Sequence, residues 1–139
     1  MSKRLEAIMA HIPPHSRGLA DVGTDHGYLP AALYKRGYTG RLIATDINQD
    51  PLSKALRTAE SIGAEDKISL RLCDGLDGVS PGEVDTIVIA GMGGDTICGI
   101  LDRAEWCMAE EYTLILQPMT KCEILRYWLI YNGFEIISE

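Results

Sequence analysis

The sequence predicts one α/β domain with a mainly parallel sheet and helices on both faces. Short apolar runs alternate with longer amphipathic segments along all 139 residues, an order typical of strand–helix–strand crossover units. The candidate strands are apolar almost without interruption, as expected for strands that are covered on both faces. Because such crossovers are right-handed, the expected topology is Rossmann-like.

The first half of the sequence is predicted to supply three helices and three strands. Apolar residues recur at helical spacing in residues 2–11, and two prolines end that helix. Pro51 suits the first turn of a later helix, and Gly63 follows its end. The elements after the first helix are strand 18–22, helix Tyr28–Gly37, strand 41–46, helix 51–62 and strand 67–74.

The second half begins with a turn-rich segment, 74–84, and continues with the most apolar run, 85–90. That run is the best candidate for a central strand, and a glycine-rich segment ends it. The elements that follow are helix Asp95–Ala104, strand 112–117, helix 121–132 and the start of a sixth strand at 134–138.

Composition narrows the classes of function. The chain has 20 acidic and 13 basic side chains, a net charge of −7, which weighs against autonomous binding to nucleic acid. No apolar run approaches the ~18 residues that span a bilayer, and the amino terminus does not resemble a signal peptide. We therefore expect no membrane association and a cytoplasmic location. The four cysteines and three histidines lack metal-ligand spacing, so we expect no metal site and free, mostly buried thiols.

The loop after the first strand, ADVGTDHGYLP at residues 20–30, is the first candidate for a ligand site. A dinucleotide-binding GxGxxG loop that starts at Gly23 needs glycine where Asp25 and Tyr28 stand, so an NAD enzyme is disfavoured. The loop instead resembles the D/ExGxGxG loop of class I S-adenosylmethionine-dependent methyltransferases. Asp21, Gly23 and Gly27 match that pattern, and Asp25 replaces its middle glycine.

The Asp25 carboxylate favours a positively charged ligand group over a pyrophosphate. A carboxylate repels a pyrophosphate, whereas it is tolerated or helpful beside an ammonium or a sulfonium. The alternative is that Asp25 only caps the following helix.

Acidic residues also end the second and third strands. Asp46 lies 25 positions after Asp21, where a carboxylate can accept hydrogen bonds from both hydroxyls of an adenosyl ribose. In class I methyltransferases a polar side chain at the position of Asp74 meets the adenine amino group, with backbone support from Gly75. The alternatives are a helix cap for Asp46 and a plain turn for Asp74.

The segments after strands four and five make the resemblance more specific. IVIAGMGGDTI, at 87–97, leaves little side-chain bulk where a methyl acceptor would approach, and it lacks the NPPY-like motif of enzymes that methylate base amino groups. Together with TDHGYLP, LILQPM and LRYWLIYNGFEI, it resembles the bacterial tRNA adenine-N1 methyltransferases that modify adenine 22 in the D-loop. The sequence departs from many members at Met119, where they have asparagine after Gln-Pro.

The resemblance implies an S-adenosyl-L-methionine cofactor, a tRNA partner and a set of site residues. Asp25 is the catalytic candidate, as a stabiliser of the positive charge that develops on the methylated ring or as a base. The cofactor-binding candidates are Asp21, Gly23, Thr24, Gly27, Asp46, Ile47, Asp74, Gly75 and Gly91. The substrate-binding candidates are His26, Tyr28, Met92, Gly93, Gln117 and Pro118. Loop packing for His26, core packing for Tyr28 and a satisfied strand-end amide for Gln117 are the structural alternatives.

The resemblance also implies a longer protein than residues 1–139. The family has a helical, coiled-coil-like domain after the class I domain, and class I sheets close with an antiparallel strand between strands five and six. We expect both to be missing here, with strand six displaced or paired directly with strand five, and most of the grip on tRNA to come from the missing region. The candidate phosphate contacts, for which a solvated surface is the alternative, are Lys3, Arg4, Lys35, Arg36, Arg41, Lys121 and Arg126.

Two other functions fit the same cofactor motifs. A small-molecule or protein methyltransferase would share the first-loop and ribose residues, so only the acceptor segments favour RNA. A cofactor-binding fragment that is inactive without its second domain is the non-enzymatic alternative. The sequence gives no indication of the oligomeric state.

Overall fold

A five-stranded, wholly parallel sheet forms the centre of the computed structural model, which describes residues 2–139. The strands are β1 (Gly18–Val22), β2 (Arg41–Asp46), β3 (Ile68–Leu72), β4 (Thr86–Met92) and β5 (Thr113–Pro118). The helices are α1 (Lys3–Ala10), α2 (Tyr28–Lys35), α3 (Gln49–Ser61), α4 (Gly94–Asp102) and α5 (Cys122–Tyr131), with a short 3₁₀ turn at Glu105–Met108. The predicted α/β class and the parallel sheet are confirmed.

Strand order places the topological switch beside β1. The sheet runs β3-β2-β1-β4-β5, so the chain moves outward from β1 to β3 and then returns to the other side of β1 as β4. In an open parallel sheet, ligands bind beyond the carboxyl ends of the strands at such a switch. The loops that follow β1 and β4 are therefore the expected location of a ligand site.

Two apolar cores cover the two faces of the sheet, as alternation along the strands requires. Ala20 and Val22 of β1 pack in the core that contains α4 and α5 residues, including Leu101 and Leu125. Leu19 of the same strand packs in the other core, with residues of α1, α2 and α3. Helices therefore lie on both faces, as the strand–helix alternation predicts.

The predicted sixth strand is wrong, because residues 134–139 form no strand in the described structure. Direct pairing of this segment with β5 is therefore also wrong. Phe134 stacks on Trp128 with 5.9 Å between ring centroids, and Ile136 packs against the core beside α4 and α5. Glu139 pairs with Arg126 at 2.7 Å. Burial against α5 thus satisfies the alternating apolar pattern without a backbone ladder.

Strand β4 continues two residues beyond its predicted end at Ala90. Ala90 pairs with Gln117 and Met92 pairs with Pro118, with an irregularity at the residue between them. That residue is Gly91, whose φ of 82° is readily available only to glycine. Gly91 therefore forms a bulge within the strand, where the sequence predicts a strand end.

Candidate active site

The loop between β1 and α2 is hydrogen-bonded to the end of β2. The backbone N–H groups of Gly23 and Thr24 both donate to the Thr45 carbonyl, at 2.9 Å each. Gly27 begins α2 in a left-handed conformation with no side-chain cap, so the alternative role of Asp25 as a helix cap is wrong. A Cβ at Gly27 would lie 2.9 Å from the Ala55 Cβ. The glycine thus permits close packing of this loop on α3.

Asp21 is a buried carboxyl group at the end of β1. Its side chain is 7% exposed, and Thr24 Oγ1 donates to its Oδ2 at 2.8 Å. Burial raises the pKa of Asp21 to about 6, while the Thr24 hydrogen bond and the positive charge of Arg4 oppose that rise. Thr24 is also buried, so it acts on the site by holding Asp21.

The raised pKa predicts how stability depends on pH. Because the Asp21 pKa is higher in the folded chain than its ordinary value of 3.8, folding favours the protonated carboxyl, and this contribution is lost as pH rises from about 4 to 6. The free energy of unfolding of wild type relative to Asp21→Asn should fall by about 3 kcal/mol over that range, at about 1.4 kcal/mol per pKa unit.

Urea unfolding of both proteins at several pH values measures this difference. The comparison removes the opposite contribution of Glu83, whose pKa Arg71 holds at about 2 and whose stabilisation is lost at low pH. Parallel pH profiles for wild type and Asp21→Asn would contradict the prediction.

Asp46 connects the ends of the first two strands. One of its carboxylate oxygens accepts from the Asn48 N–H at 3.1 Å and the other from the Asp25 N–H at 3.4 Å. Asn48 begins α3 without a side-chain cap, so Asp46 supports the turn before the helix. The next residue, Ile47, is 61% exposed and leaves an apolar side chain beside this carboxylate.

Asp74 lies beyond β3 in an ion pair that sequence reasoning missed. Arg103, which follows α4, approaches Asp74 at 3.0 Å and Asp77 at 3.3 Å. Gly75 has a φ of 61°, and a Cβ there would lie 2.8 Å from the Ile100 side chain. The turn is therefore packed closely against α4 and is held by an ion pair, unlike a plain surface turn.

The segments that leave β4 and β5 are hydrogen-bonded to each other. The Met119 N–H donates to the Met92 carbonyl at 2.8 Å, and the Gly94 N–H donates to the Thr120 carbonyl at 2.7 Å. A Cβ at Gly94 would collide with the Lys121 carbonyl, and one at Gly93 would lie 3.0 Å from Thr120 Oγ1. The two segments form one wall with little side-chain bulk.

The side chains of this wall differ in exposure. The Met92 methyl group lies 2.5 Å from the position that a Cβ on Gly23 would take. Met92 therefore fills the space between the first loop and the wall. Gln117 is exposed, Pro118 is half-buried and Met119 is 70% exposed. The Gln117 side chain makes no hydrogen bond within residues 2–139. The structural alternative, in which its amide is satisfied at the end of the strand, is therefore not observed.

Asp25, His26 and Tyr28 form an exposed array at the front of the first loop. His26 Nδ1 lies 3.2 Å from Asp25 Oδ2. The His26 and Tyr28 rings stack with 5.1 Å between centroids and 10° between planes. Tyr28 is 56% exposed, so the alternative of core packing is wrong for this residue. Asp25 has a φ of 55°, a conformation that Asp and Asn tolerate better than most residues.

The structure thus places the predicted residues along one edge of the sheet, with acidic groups after β1, β2 and β3 and small residues after β4. The described helices include none with the length and apolarity needed to cross a membrane. Within residues 2–139, no group of three or more His, Cys, Asp or Glu residues is placed to hold a metal ion. All four cysteines are free thiols, and two of them are buried.

A family model described as a methyltransferase domain matches residues 1–139, the whole sequence. The chain belongs to the methyltransferase family. The carboxyl edge described above is accordingly the candidate active site of this methyltransferase, and its acidic groups and glycines are the residues to which cofactor and acceptor roles can be assigned.

The methyltransferase is similar over its full length to known proteins. It is 37% identical over 139 residues to the tRNA (adenine(22)-N(1))-methyltransferase of Bacillus subtilis (strain 168), covering 100% of this chain and 58% of that protein. A Streptococcus pneumoniae structure in complex with S-adenosyl-L-methionine superposes with a TM-score of 0.89 and 36% identity, over 99% of this chain and 64% of the other. An M. capricolum structure in complex with S-adenosyl-homocysteine superposes with a TM-score of 0.86 and 33% identity, over 100% of this chain and 61% of the other.

These matches bear on the motifs as well as on the fold. The resemblance to bacterial tRNA adenine-N1 methyltransferases, which rests on four motifs, is confirmed across the whole chain. The chain spans about three fifths of the length of these relatives.

Proposed function

We propose that the chain is the cofactor-binding and catalytic part of a methyltransferase that acts on the N1 nitrogen of an adenine in the D-loop of tRNA. The observation that carries the proposal is the carboxyl edge of β1, where the buried Asp21, the bridging Asp46 and the exposed Asp25 converge on one loop. The name of the B. subtilis relative supports the adenine and the tRNA. The complexes of the two structural relatives support S-adenosyl-L-methionine as methyl donor.

The residues at this edge fit such a cofactor. The half-buried Asp46 and the exposed Asp74 are acceptors for ribose hydroxyls and for the adenine amino group, and the exposed Ile47 adds an apolar side chain next to Asp46. Gly23 and Gly91 have positive φ angles and no side chain, so a ligand can approach the half-buried backbone on both sides of the switch point closely. The cofactor supplies an electrophilic methyl group on a sulfonium.

The residues on the acceptor side fit a flat, neutral nucleophile. N1 of adenine has a lone pair, so no strong base is needed to make it nucleophilic, and alignment provides much of the rate. Methylation makes the ring cationic. The Asp25 carboxylate is the group we assign to stabilise that charge or to take a proton from the amino group afterwards.

The stacked His26 and Tyr28 rings are a suitable platform for a base that has left its helix. N1 lies on the Watson–Crick edge, so a paired adenine must be flipped before it can react. Next to His26, a shallow cavity of about 440 Å³ is lined by Lys54, Arg57, Thr58 and Ser61. These cations and hydroxyls suit the phosphates that flank a flipped nucleotide.

The grip on tRNA is expected to depend on more than this chain. Of the seven candidate phosphate contacts, four pair with acidic side chains: Arg36 with Glu6, Arg41 with Glu83, Lys121 with Asp95 and Arg126 with Glu139. With a net charge of −7, little free positive charge remains for a polyanion. We propose that a helical region beyond residue 139, in the longer proteins of this family, supplies most of the affinity for tRNA.

The proposed function is tested by methyl transfer to tRNA and by mapping the product. The chain, and a version extended with the downstream region of a relative, are incubated with methyl-labelled S-adenosyl-L-methionine and unmodified bulk tRNA. We expect label at N1 of an adenine in the D-loop, with more product from the extended version. Label only on protein or small molecules, or at another base atom, would overturn the proposal.

The stacking platform gives a separate prediction for Tyr28→Ala. Because aromatic–base stacking contributes about 1–3 kcal/mol per base, turnover on tRNA should fall by about tenfold or more, with unchanged affinity for S-adenosylhomocysteine. Tyr28→Phe should keep most of the activity. Tyr131→Ala, which removes another exposed ring from the far end of α5, serves as the control. Equal turnover for Tyr28→Ala and wild type would contradict the platform.

A further inference from the structure

The cavity of about 440 Å³ beside His26 is bounded by one face of α3. Its other lining residues are Lys54, Arg57, Thr58 and Ser61. A Cβ at Gly27 would lie 2.9 Å from the Ala55 Cβ, so the loop that carries the His26 and Tyr28 rings packs closely on the same helix. This face of α3 is therefore held next to any base that stacks on those rings.

Two cations on this face have little acidic compensation. Lys54 and Arg57 are three residues apart, a spacing at which like charges on a helix repel each other. Lys54 lies 3.8 Å from Asp50, which is 85% exposed, and an exposed ion pair of this kind contributes little. Arg57 is exposed and forms no ion pair within residues 2–139, although Glu60 lies one turn further along. An anion bound between the two cations would remove their repulsion.

The two hydroxyl groups on this face have their protons engaged. Thr58 Oγ1 donates to the Lys54 carbonyl at 3.1 Å, and Ser61 Oγ donates to the Thr58 carbonyl at 2.6 Å. A hydroxyl oxygen has two acceptor lone pairs besides its one proton. Both oxygens therefore offer acceptors to a ligand, and the group that matches them is a donor.

An RNA backbone contains both kinds of complementary group. Its phosphates are anions that suit lysine and arginine, and its 2′-hydroxyl is a donor that DNA lacks. A free phosphate or a DNA strand would use the cations and leave the acceptor oxygens unmatched. Cations beside acceptor hydroxyls thus fit RNA better than either of those ligands.

We infer that the face of α3 that lines this cavity holds the ribose–phosphate backbone of an RNA strand. Lys54 and Arg57 contact its phosphates. The Thr58 and Ser61 hydroxyls accept hydrogen bonds from its 2′-hydroxyl groups. The inference rests on the proposed function, because it assumes that the neighbouring aromatic platform holds a nucleotide. It gives residues 1–139 their own means of distinguishing RNA from DNA.

Binding of two short strands tests the inference. Fluorescence anisotropy measures the affinity of the chain, with S-adenosylhomocysteine present, for oligouridine that contains one adenine and for the 2′-deoxy strand of the same sequence. Wild type should bind the RNA strand about fivefold or more tightly than the DNA strand, because two hydrogen bonds are made only with RNA. The double variant Thr58→Val, Ser61→Ala should lose this preference and keep its affinity for DNA within about twofold of wild type.

The dependence on salt tests the phosphate contacts separately. Arg57→Ala should weaken both strands by about fivefold at about 0.1 M salt, because one contact to a single strand contributes about 0.7 to the slope of log Kd against log salt. Arg57→Lys should keep the slope, since it keeps the charge. Lys67→Ala is the matched control, because Lys67 is exposed and precedes β3 at the opposite edge of the sheet. Its affinities and slope should equal those of wild type.

Equal affinity of wild type for the two strands would overturn the inference, and this comparison needs no variant to fold. A preference for RNA that survives in the double variant would also overturn it, as would an unchanged salt slope for Arg57→Ala. Wild type that prefers RNA but transfers no methyl group to tRNA would instead overturn the proposed function.

Discussion

Replacement of Asp25 by asparagine is expected to reduce methyl transfer to tRNA by between one hundred- and ten thousandfold, the usual range for loss of a group that exchanges a proton or stabilises charge. Affinity for S-adenosylhomocysteine should change by less than about threefold. The carboxylate is exposed at the front of the first loop, 3.2 Å from His26 Nδ1, and we expect its loss to affect the acceptor side more than the cofactor side.

Asparagine is the informative substitution because of the backbone. Asp25 has a φ of 55°, which Asn tolerates and which costs alanine about 1 kcal/mol or more. Asp25→Ala should therefore lose the same turnover and also some stability. Single-turnover rates and thermal unfolding separate the two effects. Asp66→Asn, at an exposed position between α3 and β3, is the control for lost charge. Turnover within fivefold of wild type for Asp25→Asn would refute the role of the carboxylate.

Asp46→Ala is expected to weaken S-adenosylhomocysteine by at least about one hundredfold. Two charge-assisted hydrogen bonds to ribose hydroxyls are lost, each of about 1.5–3 kcal/mol. The acceptors of the Asn48 and Asp25 N–H groups are lost as well, so the first loop is no longer tied to the end of β2 by this side chain. Turnover at low cofactor concentration should fall in parallel.

Asp46→Asn and Asp50→Ala complete this experiment. Asparagine keeps one acceptor oxygen, so its affinity should lie between those of wild type and Asp46→Ala. Asp50 is an exposed acidic residue in the first turn of the next helix, and its replacement removes the same charge without touching the strand end. Calorimetry in which Asp46→Ala and Asp50→Ala bind equally well would exclude Asp46 as the ribose ligand.

The central strands could be predicted well because burial on both faces demands unbroken apolar runs. The predicted bounds of β1, 18–22, and of β2, 41–46, agree with the structure. The segment after α5, which the sequence predicts as an edge strand, was harder to predict. Alternating apolar residues such as Phe134 and Ile136 satisfy a strand face or a helix surface equally well, and here they pack beside α5. Local pattern does not distinguish these two partners.

The site could be predicted where it follows from topology. Parallel strands bring their carboxyl ends to one edge, so the position of Asp46 at the end of the second strand predicts that it lies beside the first loop, and the structure joins them at 3.4 Å. Contacts between residues distant in sequence could not be predicted in this way. The pairing of Arg103 with Asp74 and the approach of Arg4 to Gly91 depend on helix placement. Arg4 was accordingly grouped with surface phosphate contacts, although it faces the switch point.

The link between the segments that leave β4 and β5 has a consequence for the design of chimeras with related proteins. The Met92–Met119 and Gly94–Thr120 backbone hydrogen bonds and the lack of room for a side chain at Gly94 make the two segments mutually dependent. A chimera that receives only one of these segments from a relative would combine it with a partner segment to which its backbone is not matched. We therefore expect that residues 91–95 and 117–121 keep this backbone pairing only when a chimera exchanges both segments together.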